Sequence, residues 1–239
     1  MALATEFLVK TFSKRVVVNK VNIEINPGEV VGLLGPNGAG KSTIFHMIVG
    51  LLKPNKGKVL LDGSDITRFP MYKRARFGIG YLAQEPSIFR RLTVKENIMA
   101  IIETLNLSEE EKKSKLDRLL EELELDCLAG NKAFSLSGGE KRRVEITRAL
   151  VTSPKYILLD EPFVGIDPIA TVEIQQIITK LREKGLGILI TDHNVRETLN
   201  ITDRSFIINK GEILISGKAD KLIKSKKARE IYLGENFSL

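Results

Sequence analysis

Short, nearly unbroken apolar runs punctuate the chain at Val30 to Leu34, Tyr156 to Leu159 and Ile188 to Thr191. Runs this short, with no polar alternation, fit strands buried on both faces rather than helices. Elsewhere the period lengthens. Ser42 to Leu52 carries an apolar helix pattern, and Leu116, Leu119, Leu120 and Leu123 form one stripe on a helix that Ser108 and Glu111 open as a capping box. Ile174, Ile177, Ile178 and Leu181 supply the buried face of another helix, started by Asp167-Pro168 and stopped by Gly185. Lys58 to Asp62 runs into the turn pair Asp62-Gly63, and Ser205 to Asn209 pairs with Glu212 to Ser216 about Lys210-Gly211. Both predict antiparallel strands. The alternation of strands and helices predicts an α/β fold with a mainly parallel sheet, an antiparallel β portion and an inserted helical lobe. The core lobe should comprise residues 1–85 and 155–217, the helical lobe 86–154 and a basic C-terminal tail 218–239.

At 239 residues and 43% hydrophobic, the chain can bury a substantial core and is not a disordered one. No run approaches the ~20 apolar residues of a membrane span, and the start lacks a charged-then-apolar signal pattern, so a cytoplasmic location is expected. Cys127 stands alone, which excludes an internal disulfide and a multi-cysteine metal site. The formal charge of +7 is dispersed over Lys10 to Lys20, Arg68 to Arg76, Arg90 and Arg91, Lys141 to Arg143 and Lys218 to Arg229. The clusters hold only Phe12, Phe69 and Tyr72 as aromatic residues, fewer than a base-stacking surface requires, so no nucleic-acid partner is expected.

The chemistry begins at Gly35-Pro36-Asn37-Gly38-Ala39-Gly40-Lys41-Ser42, followed by Thr43. A glycine-rich loop between a strand and a helix lets backbone N–H groups converge on phosphate oxygens while the helix aims its positive end at the same anion. Lys41 should bridge the β- and γ-phosphates of a nucleotide, and the Ser42 hydroxyl should ligate Mg²⁺. Tyr156 to Leu159 then delivers Asp160 and Glu161 at its carboxyl end. Neighbouring strand residues point to opposite faces, so the two acids take different tasks. Asp160 is expected to hold Mg²⁺ through water, and Glu161 to orient or deprotonate the attacking water.

Leu136-Ser137-Gly138-Gly139-Glu140, ahead of Asp160-Glu161, resembles the signature of ATP-binding cassette (ABC) ATPases, and the resemblance covers almost the whole chain. It implies a P-loop NTPase core, with ATP and Mg²⁺ as cofactors. By that resemblance Phe12 stacks on adenine, Gln84 touches Mg²⁺ and the water, Asp167 lies in the loop after Glu161, and His193 hydrogen-bonds the γ-phosphate. The Ser137 to Glu140 segment opens a helix and would face the ATP of an opposite protomer, giving a homodimer with two composite sites. His46 is read as structural. Gly78 to Leu82, Ser87 to Leu92, Thr191 to Leu199 and Tyr232 to Glu235 are similar to the lipopolysaccharide-export branch of that family. Two membrane subunits docking near Gln84 and Phe89 to Arg91, at the cytoplasmic face of the inner membrane, are implied. Branched-chain amino-acid uptake is the alternative, followed by a soluble ABC ATPase acting on ribosomes or nucleic acid. Ala83 departs from the family's usual Pro before the glutamine without removing a ligand.

Overall fold

The computed structural model describes every residue except 236 and 238, which belong to the expected tail. Two sheets organise it. The first is antiparallel, with β1 (Leu3–Phe12) between β2 (Arg15–Val21) and β5 (Lys56–Leu61), β6 (Ser64–Asp65) outside β5 and β3 (Glu24–Ile25) also on β1. The second holds β4 (Val30–Leu34), β7 (Ile79–Leu82), β8 (Tyr156–Asp160), β9 (Gly187–Thr191), β10 (Arg204–Asn209) and β11 (Glu212–Gly217), in the order β11-β10-β4-β9-β8-β7. All its pairs are parallel except β10 with β11.

Every residue of β4, β8 and β9 is buried, as their unbroken apolar runs require. Their side chains alternate between two cores. Ile157, Leu159, Ile188 and Ile190 face a cluster completed by helices, whereas Val31, Leu33, Leu158 and Leu189 face the antiparallel sheet. Helix α1 (Lys41–Val49) lies in this second core through Ile44, Phe45, Met47 and Ile48. It ends earlier than the apolar pattern suggests, because Gly50 adopts φ 92° as its cap.

After α2 (Met71–Arg76) and β7, the chain between β7 and β8 is helical: α3 (Val94–Ile102), α4 (Glu109–Glu122) and α5 (Gly138–Leu150). The Ser108 capping box forms as expected, and the Leu116 to Leu123 stripe is buried. Helix α5 packs against both β7 and α6 (Pro168–Glu183), so one apolar cluster joins these helices to the parallel sheet. After α7 (Val195–Ile201) and the last hairpin comes α8 (Ala219–Ile223). The basic tail is therefore not merely solvated: Leu222 and Ala228 are fully buried against Leu34, Leu199 and Ile207.

Candidate active site

Strands β4, β9, β8 and β7 are consecutive and parallel, so their carboxyl ends share one edge of the sheet, where open α/β folds bind ligands. Each carries one piece of chemistry to that edge: the glycine loop follows β4, His193 follows β9, Asp160 and Glu161 lie at the end of β8, and Gln84 follows β7. A cavity of about 680 Å³ opens there, lined by Asn37 to Thr43, Gln84, Glu161 and His193, with Val17 closing one side. Pro36 lies on an adjoining hollow flanked by Arg15 and Lys210.

The glycine loop has the shape its residues demand. Gly40 caps α1 with φ 108°, and a Cβ there would stand 2.8 Å from the Val17 carbonyl oxygen. A Cβ on Gly35 would be 2.2 Å from the Ile208 carbonyl. Lys41, 8% exposed, donates to the carbonyls of Gly35 at 2.7 Å and Pro36 at 3.2 Å. Burial pulls its pKa below the ordinary lysine value, an effect opposed by the charges of Glu161 and Asp160. A cation held only by loop carbonyls can exchange them for phosphate oxygens.

Asp160 is 2% exposed, and burial together with the charge of Glu161 raises its pKa to about 6. Its Oδ2 lies 3.5 Å from the Tyr81 hydroxyl, while Oδ1 is buried with no hydrogen-bond partner. An orphaned buried carboxylate oxygen beside a phosphate loop fits a divalent cation and its water shell. Among the described residues no cluster of three or more His, Cys, Asp or Glu side chains makes a metal cage.

Glu161 is separated from Asp160 by a backbone turn rather than by the strand pleat expected from the sequence. Strand β8 stops at Asp160, and Glu161 takes φ 51°, a left-handed conformation that costs an L-residue roughly 1–2 kcal/mol. Its N–H donates to the Thr191 carbonyl at 2.7 Å. Its Oε2 accepts from Gln84 Nε2 at 2.9 Å and stands 3.6 Å from His193 Nδ1. The imidazole is largely exposed, but its neighbour Asp192 is fully buried, accepting from the amides of Phe163 at 3.0 Å and Asn194 at 2.8 Å. Asp192 thereby ties the loop after β9 to the loop after β8. Sequence reasoning gave no role to Asp192 or Tyr81; an acid between an apolar run and a histidine was the available signal.

The remaining candidates do not line this cavity. Ser137 caps α5, its Oγ accepting from Glu140 N at 3.2 Å while Glu140 Oε2 accepts from Ser137 N at 2.7 Å. This capping box uses two of the free amides and leaves those of Gly138 and Gly139 without an intrahelical partner. Asp167 caps α6 by accepting from Ala170 N at 2.9 Å. The two caps touch, since a Cβ on Gly139 would lie 2.5 Å from that of Ala170. Phe12 is 45% exposed beneath the Lys10 ammonium, 5.2 Å away. His46 sits in the last turn of α1 and lines no part of the cavity.

Residues 18–164 match the family model described as ABC transporter. Over 237 residues the chain is 52% identical to the lipopolysaccharide export system ATP-binding protein LptB of Acidithiobacillus ferridurans, covering 99% of this chain and 98% of that one. In structure it resembles the ADP conformation of MJ1267, an ATP-binding cassette of an ABC transporter, with TM-score 0.88 and 33% identity over 98% of this chain and 100% of the other. It also resembles the dimeric ATP-binding cassette MJ0796 bound to ADP and Pi, with TM-score 0.79 and 30% identity over 90% and 98%.

Proposed function

The chain belongs to the ABC transporter family, and from that premise we propose that it is the ATP-hydrolysing subunit of a lipopolysaccharide exporter, working as a two-site homodimer beneath two membrane subunits. One observation carries the hydrolytic reading: four adjacent parallel strands bring the phosphate loop, Gln84, Glu161 and His193 to one cavity. The cargo rests on 52% identity over nearly the full length of a lipopolysaccharide-export ATPase.

The chemistry follows from the side chains. On binding ATP, Lys41 gives up the carbonyls of Gly35 and Pro36 for the β- and γ-phosphates, and the first amides of α1 face the same oxygens. Ser42, the unpartnered oxygen of Asp160 and Gln84 would hold Mg²⁺, which neutralises charge on the phosphoryl oxygens. Glu161 accepts the proton of the attacking water at Oε2, the oxygen that Gln84 already orients. His193 supports the same carboxylate from the other side and donates to the γ-phosphate as it leaves.

Ser137 to Glu140 completes the site of the partner. The free amides of Gly138 and Gly139 and the Ser137 hydroxyl proton form a second anion cradle, capping the γ-phosphate held by the other chain's loop. ATP then favours the closed dimer because only that state binds the triphosphate from both sides, and phosphate release removes the preference. Residues 86–154, which reach from the turn after Gln84 through α5, form the lobe that passes this change to the membrane subunits. Phe89 is 47% exposed with the Arg148 guanidinium 4.6 Å from its ring, an apolar contact point for a partner helix at the cytoplasmic face of the inner membrane. No helix among the described residues is long and apolar enough to cross a membrane.

The test is a tagged Glu161→Gln variant. Turnover should fall about a hundredfold or more while ATP binding persists. Isolated with ATP from detergent-solubilised membranes, the trapped protein should bring down two lipopolysaccharide-export membrane subunits. An amino-acid permease pair would move the cargo to branched-chain amino-acid uptake, and ribosomal partners would end the transport reading.

A further inference from the structure

Glu161 holds a left-handed backbone that nothing in its own side chain explains. Its carbonyl is held from α5. Arg142, 5% exposed, sends Nη2 to the carbonyl of Glu161 at 2.6 Å, Nε to the carbonyl of Pro162 at 3.1 Å and Nη1 to the carbonyl of Ala83 at 3.2 Å. Its Nη1 also meets Glu145 Oε2 at 3.1 Å, and Glu145, likewise 5% exposed, uses Oε1 to accept from the amide of Ser87 at 2.6 Å. One turn further, Arg148 donates to the Ser87 carbonyl at 2.6 Å and covers Phe89. The three charges follow at i, i+3 and i+6, so a single face of α5 grips two segments at once.

We propose that Arg142, braced by Glu145, is a positioning residue that holds Glu161 in its reactive backbone conformation and ties it to the segment from Ala83 to Phe89. The inference rests on Glu161 being the base. A planar guanidinium can reach three carbonyls in fixed directions, which an ammonium cannot. Glu161 and Gln84 share a hydrogen bond at their side chains, and Arg142 joins the backbones on which both stand: Glu161 itself and Ala83, next to Gln84. A partner pressing on Phe89 therefore acts on the carboxylate through one buried ion pair rather than through a flexible loop. Burial raises the stakes, because an unpaired member of such a pair is left without solvent.

The experiment compares wild type, Glu161→Gln, Arg142→Met, Arg142→Lys, Glu145→Gln and the double variant Arg142→Met/Glu161→Gln, using single-turnover ATP hydrolysis and equilibrium binding of a fluorescent ATP analogue. Arg142→Met should retain nucleotide affinity within about twofold and lose about 30-fold in hydrolysis rate, since displacing a catalytic group by an ångström costs that order. Arg142→Lys should recover part of the rate, and Glu145→Gln should lose about threefold. In the Glu161→Gln background Arg142→Met should cost nothing further, because it acts only through that carboxylate. A folded Arg142→Met variant within twofold of the wild-type rate overturns the proposal, as does an affinity loss equal to the rate loss or a fully additive double variant. If Arg142→Met fails to fold, Arg142→Lys carries the same test: an unchanged rate overturns the clamp. A fully active Glu161→Gln defeats the assignment of the base and the clamp with it, whereas an inactive Glu161→Gln beside an active Arg142→Met defeats the clamp alone.

Discussion

Gly40 shows how much of the site is decided by one missing methyl group. Its φ of 108° starts α1 at the angle that presents the loop amides, and the Val17 carbonyl stands where a Cβ would go. Both constraints oppose Gly40→Ala: the backbone must leave its left-handed region, and the strand carrying Val17 must retreat. The substitution should destabilise the fold by about 1–3 kcal/mol and weaken ATP binding together, measured by chemical denaturation and equilibrium nucleotide titration. Unchanged affinity in the folded variant would mean that the loop shape matters less than Lys41. Glu161 is the contrasting case. It holds a positive φ without being glycine, and hydrogen bonds from Arg142 and to Thr191 hold the strain. The pattern of the sequence disclosed Gly40 and the carboxylate of Glu161. It did not disclose the left-handed turn between Asp160 and Glu161, which depends on Thr191 and Arg142, remote in the chain.

At the scale of elements, local signals were legible wherever the cause was local. Asp167-Pro168 opens α6, the Ser108 box opens α4, and Lys210-Gly211 turns the last hairpin, each through bonds within a few residues. The order of strands was not legible, because β4, β8 and β9 carry the same apolar pattern and nothing in that pattern selects a neighbour. Buried charges were also hidden. Arg142 entered only as part of the dispersed charge at Lys141 to Arg143, and opposite charge at i, i+3 was the one signal of its pairing with Glu145. The pair between Glu29 and Arg204 is another long-range staple, holding the turn before β4 to β10 with contacts of 2.6 and 3.2 Å, while Arg204 also donates to Glu24 O. Burial pushes the Glu29 pKa up, but bonds from Arg204 and Asn26 outweigh it and leave the pKa below the ordinary 4.5. A depressed carboxylate stabilises the fold above its unfolded pKa, and that contribution is lost as pH falls through the folded value. Glu29→Gln should therefore lower Tm at pH 7 and flatten the fall of Tm below pH 4.5, followed by thermal melts across that range. Parallel Tm curves for the two proteins would remove the pair from the acid response.

For the whole molecule, the decisive feature is that the two edges proposed to bind phosphate lie apart. The cavity holds Lys41, Glu161 and His193 but no residue of the Ser137 to Glu140 cap, whose free amides sit beside the loop from Gly165 to Ala170. Around that loop the chain exposes Val164 (38%), Ile169 (76%) and Val172 (49%), apolar surface next to an unused helix start. A second copy related by a two-fold axis would cover both at once, setting each cap over the other's phosphate loop. Complementation distinguishes this arrangement from two self-contained sites. Lys41→Met removes the phosphate ligand, and Ser137→Arg fills the cap, so either homodimer should be inactive. In a mixed dimer of the two, one site pairs an intact loop with an intact cap and the other carries both defects. Random mixing makes half the dimers mixed, each with one working site of two, so independent sites should recover about a quarter of wild-type turnover. If each chain hydrolysed ATP with its own residues alone, the mixture would stay as inactive as its components. Turnover measured against mixing ratio, peaking at equal amounts, is the outcome that a shared site requires.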